Sequence, residues 1–109
     1  MPTAPLLEFT DDNFTAEVLE APLLTLAEFG STWNAPSRSL TPTLQKLADN
    51  HAGKLKVGRL NVDANQTTPQ TYGIRSIPTC LVFKGGKVVE QLVGALPYSR
   101  YEAAVMKHF

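Results

Sequence analysis

Few residues in this chain could do chemistry, and most of them stand apart from one another. Cys80 is the single cysteine. One thiol can neither close an intramolecular disulfide nor supply the several thiolates of a zinc or iron–sulfur centre. His51 follows a helix and His108 stands next to the C-terminus, so no pattern brings either to a serine as general base. Both read as solvated surface residues. The chain has no Gly-x-Ser-x-Gly, no phosphate loop and no paired His/Cys spacing, so no metal or cofactor is expected. What remains is one short stretch, Trp33-Asn34-Ala35-Pro36-Ser37, where an aromatic platform precedes a helix start. Asn is among the strongest N-caps, and a helix start leaves about four amide donors unpaired. Asn34 and Ser37 can both satisfy that end; the alternative is that the amides stay open to an anion or a substrate carbonyl.

The elements around this turn are legible from apolar spacing. Leu23 to Phe29 is apolar almost throughout, as a central strand covered on both faces should be. A helix follows from Ala35 or Pro36 to about Asn50, with Leu40, Leu44 and Leu47 inward and Pro42 forcing a kink. Upstream, Leu6 to Phe9 reads as a short strand. Thr10 or Asp11 then caps a helix through about Leu19, with Phe14 and Val18 on one face. Downstream, Leu55 to Val62 alternates as a strand, and Asp63 to Tyr72, interrupted by Pro69, as a short irregular helix. Thr79 to Phe83 and Val88 to Val93 flank Lys84-Gly85-Gly86-Lys87, a strong hairpin signal. A last helix, with Tyr101, Ala104 and Val105 inward, ends at about Lys107. The order β-α-β-α-β-α-β-β-α implies parallel pairing first and a hairpin at the end, a small α/β layer protein.

At 109 residues the chain is one domain, large enough for a core without disulfides or metal. Ten basic and ten acidic residues cancel, so nothing electrostatic favours nucleic acid or anionic lipid. No apolar run is long enough to span a bilayer, and MPTAPLLEFT lacks the basic start and apolar middle of a signal peptide. A cytoplasmic monomer is the default expectation.

Four separated pieces together resemble thioredoxin, in order and spacing, from about Leu7 to Val105. They are Phe29 to Pro42 (FGSTWNAPSRSLTP), Lys54 to Asp63 (KLKVGRLNVD), Tyr72 to Thr79 (YGIRSIPT), and Phe83-Lys84-Gly85-Gly86 with Val93-Gly94-Ala95. The resemblance implies a thioredoxin fold, a central mixed sheet with helices on both faces. It also implies a cis peptide bond between Ile77 and Pro78, where the backbone of Ile77 would pair with an extended substrate segment. In the family's pattern the turn reads Trp-Cys-Gly-Pro-Cys; here it reads Trp33-Asn34-Ala35-Pro36-Ser37. Asn34 stands at the attacking position and Ser37 at the resolving one.

That difference bears directly on activity. Thiol–disulfide exchange needs a low-pKa thiolate to attack and a second thiol to resolve. An amide cannot attack sulfur, and a serine hydroxyl forms no sulfur–sulfur bond. Glu28 stands where the resemblance places a buried acid and Arg59 where it places a lysine; a buried acid needs a partner, so the two should pair. Alternation puts Cys80 on the face opposite Thr79 and Leu81, under a helix, as a small apolar filler.

The reading that follows is a redox-inactive thioredoxin-like protein. Its groove, formed by Trp33, Ala35, Pro36, Ile77, Pro78, Gly94 and Ala95, would dock an extended peptide segment or a protein partner. The alternatives are a thioredoxin whose active-site cysteines were exchanged by engineering, and a structural wedge in a larger assembly. Further departures at Gly30, Ser31, Ala35 and Ser39 favour natural divergence over engineering.

Overall fold

A computed structural model describes residues 6–109. The N-terminal reading above falls partly on residues 1–5, outside that range. Among these residues five strands form one mixed sheet: β1 (Leu7–Phe9), β2 (Leu24–Gly30), β3 (Leu55–Asn61), β4 (Thr79–Lys84) and β5 (Lys87–Val93). Their spatial order is β1-β3-β2-β4-β5. The β1–β3 and β2–β3 pairs are parallel, and β2–β4 and β4–β5 antiparallel. Helices α1 (Ala35–Ser39), α2 (Thr41–Asn50), α3 (Thr67–Thr71) and α4 (Tyr98–Met106) complete the described residues, with one π-helical turn at Thr15–Leu19. Among the described residues no helix is long and apolar enough to cross a membrane.

Because side chains alternate along a strand, the seven buried residues of β2 feed two separate cores. Leu24 and Leu26 face Leu40, Leu44 and Leu47 beneath α2, and Tyr101 and Val105 of α4. Ala27 and Phe29 face the other way, onto Phe9, Phe14, Val18 and Phe83. Phe14 holds that second core together through ring contacts with Phe9, Phe29, Tyr72 and Phe83. At the β4–β5 hairpin both Gly85 and Gly86 have positive φ, as a two-residue turn matched to strand twist requires.

Two sequence expectations need correction. The first helix does not start at Thr10 or Asp11. Thr10 and Asn13 close on each other, N–H to side-chain oxygen at 2.7 and 3.0 Å, and only Thr15–Leu19 is helical. The Asp11 carboxylate caps a different helix instead, accepting the amides of Thr67 and Thr68 at 3.2 and 2.9 Å. Those bonds, Thr68's foremost, hold its pKa below the usual carboxylate value. The long helix, in turn, is not one kinked rod but two helices meeting at Leu40. Pro42 has no N–H to continue the ladder, and the chain restarts with Leu44 N–H bonding the Leu40 carbonyl at 2.8 Å.

Candidate functional site

Strand register decides what meets at the sheet end. Gly30 lies opposite Asn61, Phe29 opposite Thr79, and Thr79 opposite Val93. Four segments therefore leave or enter the sheet at one end: Ser31–Ser37, Val62–Asp63, Ile77–Pro78 and Gly94–Ala95. The Ile77–Pro78 peptide bond is cis. Gly94 N–H donates to the Pro78 carbonyl at 2.8 Å, tying two of these segments together. The Tyr101 hydroxyl bridges the last one, donating to Gly94 O and accepting from Leu96 N–H, both at 3.1 Å.

Trp33 is 65% exposed, and its indole N–H donates to Asp63 at 2.6 Å. Asp63 was not singled out from sequence. The signal was available: parallel neighbours β2 and β3 end in register, so residues two or three beyond each emerge together. Arg38 steadies the same turn, its Nη1 donating to the carbonyls of Thr32 and Trp33 at 3.1 and 3.0 Å. Ala35 and Pro36 are exposed, Ile77 is half-buried and Pro78 is buried. Among the described residues, neither the N–H nor the C=O of Ile77 has a hydrogen-bond partner.

Asn34 caps α1, its side-chain oxygen accepting the Ser37 amide at 2.9 Å with extended backbone at the cap. Ser37 has a different task from the one its position suggests. Its hydroxyl donates to Glu28 Oε2 at 2.8 Å and accepts the Ser31 amide at 3.1 Å, all within the protein interior. It serves the buried acid, not the helix end. Glu28 is 1% exposed, and its other oxygen accepts Arg59 Nε at 2.6 Å. The pairing follows from register, since Glu28 lies directly opposite Arg59 on parallel strands. Arg59 also donates to the Ser37 carbonyl at 2.5 Å and to the Thr41 hydroxyl. One guanidinium thus joins β3, β2, the end of α1 and the start of α2. A lone buried carboxylate would be costly, and this net of charge-assisted bonds offsets that cost.

Gly30 is what lets this net close. It shares a face of β2 with Glu28, two residues away, and a Cβ there would lie 2.0 Å from Ser37 Oγ and 2.2 Å from Glu28 Oε2. In the sequence Gly30 stands out only as a departure from the family pattern. Its i, i+2 spacing from a buried acid was the missed clue.

Cys80 lies opposite Glu28 on the other neighbour strand and is wholly buried beside Leu26, Leu40 and Tyr101. Burial, reinforced by the Glu28 charge, raises its thiol pKa far above the ordinary value. It offers no accessible thiolate. The histidines are not solvated surface groups: His51 Nε2 lies 3.0 Å from Glu102, its side chain 13% exposed, and His108 Nε2 lies 2.8 Å from Glu90. Each helps pin the C-terminal helix region, far in sequence from the turn. Among the described residues no group of three His, Cys, Asp or Glu side chains could hold a metal.

Comparison with known proteins bears on the whole chain, not on the turn alone. The sequence model described as thioredoxin matches residues 5–107. Thioredoxin 2 of Chlorobaculum tepidum is 46% identical over 101 residues, 93% of each chain. Thioredoxin of Chlorobaculum thiosulfatiphilum is 45% identical, over 93% of this chain and 94% of its own. Thioredoxin 1 of Nostoc sp. is 39% identical with the same coverage. Sheet order, the cis-proline loop facing the β2 turn, and likeness along almost the full length agree, and the chain belongs to the thioredoxin family.

Proposed function

We propose that this protein binds an extended peptide segment of a partner protein across the end of its sheet, without dithiol–disulfide exchange at the turn. The observation that carries the reading is the pairing of an open backbone edge with an aromatic platform. Among the described residues Ile77 presents an unpartnered N–H and C=O, and Trp33 presents an exposed indole that Asp63 holds by its N–H. An extended peptide satisfies such an edge as an added strand would, while its side chains rest on the ring. The absence of exchange rests on residue chemistry: residues 34 and 37 carry an amide and a hydroxyl, the latter already bonded to Glu28. The one thiol, Cys80, is closed off from any substrate.

The test is affinity capture from a cell extract with the unaltered chain and with Trp33→Ala, followed by identification of the bound proteins. Trp33 is mostly exposed, so the substitution should leave the fold intact while removing the platform. Partners retained by the unaltered chain and lost with Trp33→Ala support groove binding. An identical set of partners on both would refute it.

A further inference from the structure

We propose that the cavity beside the Glu28–Arg59 pair is a binding site for a small organic monocarboxylate with an apolar body. The cavity holds about 420 Å³, within the range of small-molecule sites. Leu6, packed against the core that holds Leu26 and Val57, gives it an apolar wall on the same face of the sheet as Arg59, and Gly30 lines it with backbone alone.

The polar groups that remain available there are donors. Arg38 uses only Nη1, toward two carbonyls, which leaves the three N–H groups on Nε and Nη2 without partners among the described residues. Arg59 spends three of its five N–H groups on Glu28, Ser37 and Thr41, and its side chain is still 26% exposed. Glu28, by contrast, is shut away at 1% exposure with both oxygens occupied; its charge and that of Arg59 match each other, which leaves Arg38 as the lining cation without an ion pair among the described residues. Glu8, also on the lining, is exposed, and solvent screens it. Ser31 adds a second kind of signal. It lies in the wall, and its hydroxyl is the one buried side-chain polar atom without a partner among the described residues. Unmet donors over an apolar wall call for an acceptor on an apolar body. Guanidinium groups fit a carboxylate best, because the fork and the two oxygens match. The site uses neither Trp33 nor Ile77, so it stands or falls separately from the peptide groove.

The test is a titration of the isotope-labelled chain with benzoate, followed by amide resonances. Benzamide serves as the neutral isostere and inorganic phosphate as the anion without an apolar body. Saturable shifts are expected at Gly30, Ser31, Ser37 and Arg59 to Asn61, with benzamide and phosphate each at least about tenfold weaker. Arg38→Gln should weaken benzoate by about tenfold, since it removes a charge-assisted donor. Shifts that never saturate, that map elsewhere, or that benzamide or phosphate reproduces at equal affinity would overturn the proposal. The three unaltered-chain titrations decide the matter even if Arg38→Gln proves unstable.

Discussion

Replacing Gly30 with alanine sets local propensity against tertiary structure, and the two give opposite signs. In a strand interior alanine is favoured over glycine by about 0.5–1 kcal/mol through backbone entropy. The structure puts the new Cβ 2.0 Å from Ser37 Oγ and 2.2 Å from Glu28 Oε2. Neither atom can swing aside, because both side chains are 1% exposed and each is hydrogen-bonded to the other and to a third group. Overpacking of this kind costs about 1–3 kcal/mol, and losing a hydrogen bond to a buried carboxylate costs about 1.5–3 kcal/mol more. Gly30→Ala should therefore destabilise the fold by about 3 kcal/mol net of the propensity gain, lowering the thermal midpoint by about 12 °C. Urea and thermal unfolding followed by circular dichroism measure this directly. Adding Ser37→Ala removes the closer of the two clashes, so the double variant should lie closer to the unaltered protein than additivity allows. A neutral or stabilising Gly30→Ala would refute the close-packed acid–serine contact.

Cys80 should resist a small alkylating reagent in the folded protein and react promptly in denaturant, since burial both blocks access and keeps the thiol protonated. Rapid labelling of the native state would contradict its placement under α2 and α4. The carboxylates of Glu102 and Glu90 have pKa values held below 4.5, Glu102 by Tyr98 and then His51, Glu90 by His108 first. A depressed folded-state pKa contributes stability that is present above the unfolded value and lost as pH falls through the folded one. Acid unfolding curves should thus fall off less steeply below about pH 4.5 for Glu102→Gln than for the unaltered chain; parallel curves would argue against the His51–Tyr98–Glu102 contacts.

How far the fold could be read in advance depended on whether each feature was local. The buried run of β2 and the Gly-Gly hairpin carry their signals within a few residues, and both stand where apolar spacing and turn chemistry put them. Asp11 looked like the cap of the helix that follows it, yet its carboxylate serves α3, more than fifty residues away. No window of sequence contains that choice, since Thr10 and Asn13 compete for the local turn and only the fold brings Thr68 near. Pro42 by itself predicts a kink in one helix, but a missing donor and the Leu40 restart separate two helices. At the site, Asn34 follows from helix-capping rules, whereas Ser37 does not. Three positions along a helix start, a serine can face the amides or the strand behind. The decision for Glu28 came from the space that Gly30 leaves.

The measurement that bears most directly on the central claim is insulin-disulfide reduction in the presence of dithiothreitol. Assayed side by side should be the unaltered chain, Cys80→Ser, and the double variant Asn34→Cys/Ser37→Cys. The unaltered chain and Cys80→Ser should not exceed a protein-free control, because residues 34 and 37 supply no sulfur and Cys80 is enclosed. The double variant should reduce insulin above that control, with two thiols at the α1 start beside Glu28. Activity in the unaltered chain that persists in Cys80→Ser would contradict the account.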